Sequence, residues 1–458
     1  MAQINVGIIG FGTVGAGTVE LMLKNAQIIT DRVGAPVVVK KIADLDISSD
    51  RGVAVDPELL TTNAMEVIDD PDIDVVVELV GGLDKARQFM LLAMKNGKHV
   101  VTANKALLAE YGRDIYGAAR EHEVHLEFEA SVGGGIPILG SLEGGLAANH
   151  IQTLVGILNG TSNYILTRMT REGLAYEKAV KEAVRLGFAE DPPRLDVNGT
   201  DAAHKLAILL SVATGAPLDF ESLYREGIEA LSPEDIQFAG DFGYQIKLLA
   251  IARFGDGWVE ARVHPAMIPK NHILANVNEA YNAIYLEGDF VGPNLFYGLG
   301  AGRRPTGSAV VSDIMSVGRK ILLRVKGPDH WVGRNQDSSG DIVVRPMDQL
   351  RSIYYFRFSA LDSPGVLSKI SGILGENQIS VSSVIQKGRK TSGAVPVVMI
   401  THEAIEHDVF RAISRIDELD IVTDNTVIIR VEEGFPNGDT ELEGRRLKAE
   451  GEKTRNLS

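Results

Sequence analysis

Residues 4–24 read INVGIIGFGTVGAGTVELMLK. The apolar run Ile4–Ile9 has the composition of a short buried strand. It meets Gly10-Phe11-Gly12-Thr13-Val14-Gly15, and a stretch with helical spacing follows to about Lys24. A G-x-G-x-x-G sequence is weak evidence alone. Set between a strand and a helix, it reads as a dinucleotide-binding turn. Gly10 permits the tight turn, Gly12 lets backbone approach a pyrophosphate, and Gly15 lets helix and strand pack closely. The first helical turn, with Thr13 and Val14, then offers free N–H groups to an anion.

Further strand patterns follow at residues 37–43, 75–79, 99–102 and 125–129. A helical pattern occupies 85–96 and stops at Gly97. Strands alternating with helices predict a Rossmann-like, doubly wound parallel sheet over residues 1–134. Asp44 ends the second strand. A carboxylate there accepts hydrogen bonds from an adenosine ribose and repels a 2′-phosphate, which favours NAD. Lys40, Lys41 and Arg51 lie close by in sequence and keep NADP open.

From residue 135 the pattern changes. Helical stretches (139–146, 176–186, 202–213) mix with strands (153–158, 258–264, 283–286), predicting an α+β substrate and dimerisation domain over 135–304. A long amphipathic helix over 306–323 is expected to pack back on the first domain and complete it with residues 305–325. Residues 326–350, rich in Gly, Asp, Ser and Pro, read as a linker. Residues 351–433 then follow the β-α-β-β-α-β order of a ferredoxin-like unit. In it, Asp362-Ser363-Pro364-Gly365-Val366 joins a strand to a helix, as a connector or as a small-ligand loop. The charged tail, 434–458, reads as disordered.

The bulk numbers narrow the function. A chain of 458 residues with 45% hydrophobic and 23% charged residues is globular and too long for one core. A net charge of −15 argues against nucleic acid and anionic membrane as partners. The absence of cysteine excludes disulfides, thiolate metal sites and thioester chemistry, and fits a reducing cytoplasm. No apolar run is long enough to span a membrane. No histidine cluster has the spacing of a zinc site.

Residues 187–205, GFAEDPPRLDVNGTDAAHK, concentrate Glu190, Asp196, Asp201 and Lys205. Asn198-Gly199 precedes an apolar run, so Asp201 falls in the first turn of a helix and shares a face with Lys205. A surface ion pair explains that spacing. With Glu190 and Asp196 in the preceding loop, a polar pocket that grips an ammonium group while Lys205 handles a proton explains it as well. His204 points elsewhere on the helix and reads as structural. Lys105, in VVTANKALL, stands just past a strand's carboxyl end, where ligands bind in open parallel sheets. Glu129 leads into Ala130-Ser131-Val132-Gly133-Gly134-Gly135-Ile136. Backbone carbonyls with one carboxylate can hold a hard cation there, although a hinge is the plainer reading by composition. Asn159-Gly160-Thr161 reads as a turn first and a ligand contact second.

Taken together, these residues resemble homoserine dehydrogenases. GIIGFGTVG, VVTANKALL, FEASVGGGIPIL, GILNGTSNYIL, LGFAE, LDVNGTDAAHKL and FYGLGAGRRPTGSAVVSD match that family's blocks, in its order, over residues 5–322. The terminal unit resembles an ACT domain. The resemblance implies a catalytic role for Lys205 as proton donor and acceptor, held by Asp201. It implies that Lys105 sits beside nicotinamide and substrate. Glu190 and Asp201 match substrate-binding carboxylates, Asp196 joins that pocket, and Thr161 matches a substrate contact. Gly302 falls in a block that meets the cofactor. Glu129, Val132, Gly134 and Ile136 match a monovalent cation site, for Na+ or K+.

The implied activity interconverts L-homoserine and L-aspartate 4-semialdehyde with NAD or NADP. The setting is cytoplasmic threonine, methionine and isoleucine biosynthesis, with feedback by threonine through the ACT domain and a homodimer or homotetramer as the assembly. Deleting the chain beyond about residue 326 is then expected to leave activity and remove inhibition. Two departures stand out. Asp191-Pro192-Pro193 replaces the family's Ala-Asp-Pro, with the spacing from Glu190 to Asp196 kept, and Pro192 biases the residue before it toward extended geometry. Asp44 and Asp46 stand where many relatives carry Arg or Lys, so the cofactor choice is open. The rival readings are another amino-acid dehydrogenase acting at an amine, and a non-catalytic amino-acid sensor.

Overall fold

The computed structural model describes residues 3–328, 332, 343–386 and 393–434. Six strands form the first sheet: β1 (Ile4–Ile9), β2 (Val37–Ala43), β3 (Leu60–Thr61), β4 (Val75–Glu78), β5 (His99–Thr102) and β6 (Leu126–Glu127). Their order is β3-β2-β1-β4-β5-β6, with every pairing parallel. Short Val- and Ile-rich strands suit a sheet covered on both faces. The strand order reverses between β1 and β4, which opens a crevice at their carboxyl ends.

Glycine makes this edge possible. Gly10 has φ +105°, and a Cβ there would lie 2.6 Å from the Leu79 carbonyl. A Cβ on Gly15 would lie 2.2 Å from the Gly10 oxygen. The helix Arg303–Leu322 packs on the helix Thr13–Lys24 of this domain. The approach is so close that a Cβ on Gly17 would meet the Arg303 oxygen at 2.1 Å. Val310, Ile314 and Val317 of that helix share a core with Val6, Ile8 and Val77. The strand expected over 125–129 is shorter than its apolar pattern. Glu129–Ser131 forms a 3-10 turn instead, because the chain leaves the sheet there for the glycine loop.

The second domain contributes β7 (Ile151–Ile157), β8 (Tyr224–Arg225), β9 (Tyr244–Gly255), β10 (Trp258–Pro269), β11 (Tyr281–Gly288) and β12 (Gly292–Leu299). The helices Gly160–Glu172 and Thr200–Thr214 pack on β9. The terminal part contributes β13 (Val343–Val344), β14 (Arg351–Leu361), β15 (Val381–Gln386), β16 (Ala394–Thr401), β17 (Ala404–Ile405) and β18 (Val422–Val431), with helices Val366–Glu376 and Glu406–Asp417. Its order, β18-β14-β16-β15, is the ferredoxin-like arrangement that the sequence predicts.

The separation expected between these two parts is not found. β12-β11-β7-β9-β10-β18-β14-β16-β15 is one continuous path. The cause is the outer edge of β10. It pairs with β13 at Trp258 and Val259, with β8 at Arg262 and Val263, and with β18 at Ala266 and Met267. The end of the expected linker is therefore a strand. Residues 329–331 and 333–342 of that linker, and 435–458 of the tail expected to be disordered, lie outside the described residues. Among the described residues no helix is long and apolar enough to cross a membrane.

Candidate active site

Two cavities open at the carboxyl edge of the parallel sheet, and Leu79 lines both. The first, about 550 Å³, is walled by Gly10, Gly12, Asp44, Leu45, Thr62–Met65 and Phe89. Gly12 caps the helix Thr13–Lys24, and nothing lies within 4 Å of where its Cβ would be. That leaves the first-turn amides open to an anion. Asp44 Oδ2 accepts from Phe11 N, and its Oδ1 accepts from Asp46 N at 2.9 Å. The carboxylate is thus fixed beside the glycine turn. Of the neighbouring cations, Lys40 is engaged elsewhere, whereas Arg51 also stands 3.9 Å from Asp44 Oδ1. Lys40 pairs with Asp70 at 2.9 Å and Asp72 at 2.8 Å, and Arg51 pairs with Asp46 at 3.1 Å.

The second cavity, about 710 Å³, lies between the first domain and the loop 187–196. Val14, Gly81, Gly82 and Lys105 wall one side, and Glu190, Asp196, Asp201 and His204 the other. Asp201 sits in the first turn of the helix Thr200–Thr214, as its spacing predicts, and is 5% exposed. Its Oδ2 accepts from Lys205 Nζ at 2.7 Å and from Asn159 Nδ2 at 2.8 Å. Its Oδ1 faces Lys105 Nζ at 3.1 Å. Burial opposes the charge on Asp201, but the ammonium groups of Lys205 and Lys105 outweigh it and hold the carboxyl well below its ordinary range. Asp201 in turn raises the pKa of Lys105 against the cost of burial, and Asp196 and Glu190 add to the effect. Asp196 is pushed upward by burial and then by the charge of Asp201. Glu190 stands exposed on the cavity wall.

The two lysines are placed differently. Lys105 opens the helix Lys105–Glu121, with Asn104 as its cap, and lines the cavity. Lys205 is 7% exposed and lies behind Asp201. Its amine also donates to the Leu158 carbonyl at 2.6 Å. Other expected site residues also lie back from the cavity. Thr161 Oγ1 donates to the Phe188 carbonyl at 2.6 Å, so it supports the loop 187–190 from behind. Gly302, at φ +123°, caps the helix Arg303–Leu322 and lines neither cavity. The Glu129 carboxylate accepts from Leu139 N at 2.9 Å and Gly140 N at 2.6 Å, at the start of the helix Leu139–Glu143. Burial pushes that carboxyl up, against these amides. Among the described residues no group of three His, Cys, Asp or Glu comes together as a metal site.

The sequence reading took Asn159 as part of a turn or ligand contact and missed its link to the two carboxylates. Its Oδ1 caps the helix Gly160–Glu172 through Ser162 N at 2.7 Å. Its amide then has two protons left, one for Asp196 Oδ1 at 2.7 Å and one for Asp201 Oδ2 at 2.8 Å. An asparagine at a helix start, rather than serine or threonine, was the available signal, since only an amide carries spare donors. His204, read as structural, reaches the cavity wall while its Nε2 stands 3.1 Å from Glu110 Oε1.

Comparison with known proteins decides the family. A homoserine dehydrogenase NAD-binding model matches residues 10–129, a homoserine dehydrogenase model matches 137–315, and an ACT model matches 354–420. A homoserine dehydrogenase from Pseudomonas aeruginosa is 42% identical over 434 residues, covering 94% of this chain and 100% of that protein. The chain belongs to the homoserine dehydrogenase family. It has an enzyme's fold with a dinucleotide-binding domain and an ACT domain. The crystal structure of a homoserine dehydrogenase from Thiobacillus denitrificans is similar with a TM-score of 0.89 at 45% identity, over 94% of this chain and 99% of that one. A hyperthermophilic archaeal homoserine dehydrogenase in complex with NADPH is similar with a TM-score of 0.60 at 26% identity, over 71% of this chain and 99% of that one.

Proposed function

We propose that this chain interconverts L-homoserine and L-aspartate 4-semialdehyde with NAD(H), as a cytoplasmic enzyme of threonine, methionine and isoleucine biosynthesis. One observation carries the reading. The Lys105 amine, braced by Asp201, shares a cavity with Glu190 and Asp196 at the crevice of the parallel sheet. The residues fit a nicotinamide dinucleotide. Gly12 leaves the helix amides open, and Asp44 stands where a ribose diol needs an acceptor. The Asp44 carboxylate favours NAD over NADP, with Lys40 paired elsewhere and Arg51 held between Asp44 and Asp46. The cofactor, when bound, supplies or takes the hydride.

The protein's own part is orientation and proton transfer. Glu190 and Asp196 receive the substrate ammonium, which fixes the reacting carbon over the crevice. In reduction, the Lys105 ammonium gives a proton to the carbonyl oxygen as it becomes an alcohol. In oxidation, the free amine takes that proton back. Lys205 holds Asp201, and Asp201 keeps Lys105 charged. This assignment moves proton transfer from Lys205, which the spacing favours, to Lys105, because only Lys105 lines the cavity. Side-by-side rates of homoserine-dependent reduction of NAD and NADP test the proposal. A faster rate with NAD supports it, and no rate with either refutes it.

Three further elements belong to the reading. Threonine is the proposed ACT effector, supported by the matching domain and tested by inhibition of the full chain. A monovalent cation at Glu129, Val132, Gly134 and Ile136 is supported by the turn at Gly133 and Gly134, both at positive φ, and by lone pairs that the capped carboxylate keeps. Comparing rates in sodium, potassium and tetramethylammonium salts tests it. A homodimer or homotetramer is supported by β12, an outer strand of the sheet that leaves Tyr297 and Leu299 exposed. Sedimentation tests that.

A further inference from the structure

β18 sets Arg430 against the catalytic part of the chain, where it is 1% exposed. Its Nη1 donates to Glu226 Oε2 at 2.8 Å, and its Nη2 to the Tyr224 hydroxyl at 3.2 Å. Its Nε donates to Glu406 Oε2 at 3.1 Å, and its Nη2 also meets Glu406 Oε1. Glu406 begins the second ACT helix. One buried guanidinium thus ties two ACT elements to residues 224–226. A buried charge holds such a place only when its donors are matched, and the planar fork of arginine matches several acceptors at once.

The segment it grips backs the substrate loop. Glu226 N donates to Val263 O at 2.8 Å, and Ile228 N donates to Val197 O at 2.8 Å. Gly227 presses on the loop so closely that a Cβ there would lie 2.3 Å from Val197 O and 2.6 Å from Asn198 Cα. Gly199, at φ +83°, would bring a Cβ within 3.1 Å of the Glu226 oxygen. Asn198 Oδ1 accepts from Thr200 N at 3.0 Å, so this turn sets where the helix bearing Asp201 begins. Residues 197–199 lie between the two carboxylates, Asp196 and Asp201.

We infer that Arg430 is a positioning residue of the substrate pocket, acting through Glu226 on the turn 197–199 to fix Asp196 relative to Asp201. The inference rests on the reading that these carboxylates hold the amino-acid substrate. Its consequence is selective. Losing the contact loosens the amino-acid side of the cavity and leaves the dinucleotide side, built on β1, β2 and β4, as it was.

The test uses the full chain with Glu226→Gln and Arg430→Lys. Glu226 keeps its shape in the first variant, and its side chain is already 36% exposed, so folding survives. Arg357→Lys is the control. Arg357 also crosses from the ACT sheet, to buried Asp235 at 2.6 Å, but Asp235 lies on the helix Pro233–Asp241, which packs on β9 and on Gly160–Glu172. KM for homoserine is expected to rise about tenfold or more in both test variants, with KM for the dinucleotide within about twofold of the parent. The double variant should raise it no further than the larger single change. Arg357→Lys should lower Tm without raising KM for homoserine. Hydrogen exchange of the amides of residues 196–201, in the free protein, gives a readout independent of turnover. It should quicken about tenfold in Glu226→Gln and Arg430→Lys and stay unchanged in Arg357→Lys. Unchanged exchange and unchanged KM in folded test variants overturn the inference, as does an equal rise in the dinucleotide KM. If the parent chain does not turn over homoserine, the functional reading fails and exchange alone decides the role of Arg430.

Discussion

Replacing Asp201 with asparagine separates the electrostatics of the site from its shape. The variant keeps the side-chain outline but removes the charge between Lys205 Nζ at 2.7 Å and Lys105 Nζ at 3.1 Å. The Lys205 pair is buried on both sides, so breaking it costs about 3–5 kcal/mol. The Lys105 side chain is 42% exposed. Solvent screens that pair, and its loss adds less than about 1 kcal/mol. A loss of this size should lower Tm by about 5 °C in a chain this long. The sign of the pH dependence follows from the depressed carboxyl. The native state binds fewer protons at Asp201 than the unfolded chain does, so its stabilisation is complete above the ordinary aspartate range of about 4 and is lost as pH falls below it. The stability gap between parent and variant is therefore full at neutral pH and narrows in acid. Catalysis shifts too. Asp201 is the largest cause of the raised Lys105 pKa, so that pKa falls in the variant. The alkaline limb of kcat/KM for aldehyde reduction then moves to lower pH, because the donor ammonium is lost earlier. Dinucleotide absorbance recorded across a pH series is the assay. A folded variant with an unmoved alkaline limb would refute the coupling of Asp201 to Lys105.

Other outcomes follow from the same geometry. Lys105→Met should lower kcat about 10²–10⁴-fold with little change in dinucleotide affinity, whereas Lys205→Met should act mainly on Tm; steady-state rates and melting curves compare them. Gly15→Ala forces a methyl to within 2.2 Å of the Gly10 oxygen and should abolish dinucleotide binding at a stability cost of about 1–3 kcal/mol, measured by calorimetry. Asp44→Ser should shift the ratio of kcat/KM for NAD over NADP toward NADP by about tenfold or more, as the acceptor for the ribose diol goes. Truncation before β13 removes β13 and β18 from the outer edge of β10 and leaves Arg262 and Glu226 without their ACT partners, so Tm and homoserine turnover should both fall rather than survive.

Much of this was legible in local sequence. The turn at Gly10, Gly12 and Gly15 specifies strand, anion cradle and helix together, because each glycine answers a separate steric demand. The pairing of Asp201 with Lys205 follows from helical spacing alone. The ferredoxin-like order follows from its alternating patterns. Spacing could not reveal which partner competes for a group once the chain folds. Lys205 shares a face with Asp201, yet Lys105, far away in sequence, takes the open side of the same carboxylate. Thr161 fits a contact motif but spends its hydroxyl on a neighbouring loop. The union of β10 with β18 rests on unpaired backbone at a strand edge, which carries no side-chain signature. The bridging role of Asn159 was hidden for a related reason, since it depends on two carboxylates brought from other segments.

The structure of the chain with a nicotinamide dinucleotide and homoserine bound tests the central claim most directly. The account predicts the homoserine hydroxyl within hydrogen-bond distance of Lys105 Nζ, and its ammonium on Glu190 or Asp196. Homoserine bound outside this cavity, or bound with its hydroxyl on Lys205 and Lys105 turned to solvent, would contradict it.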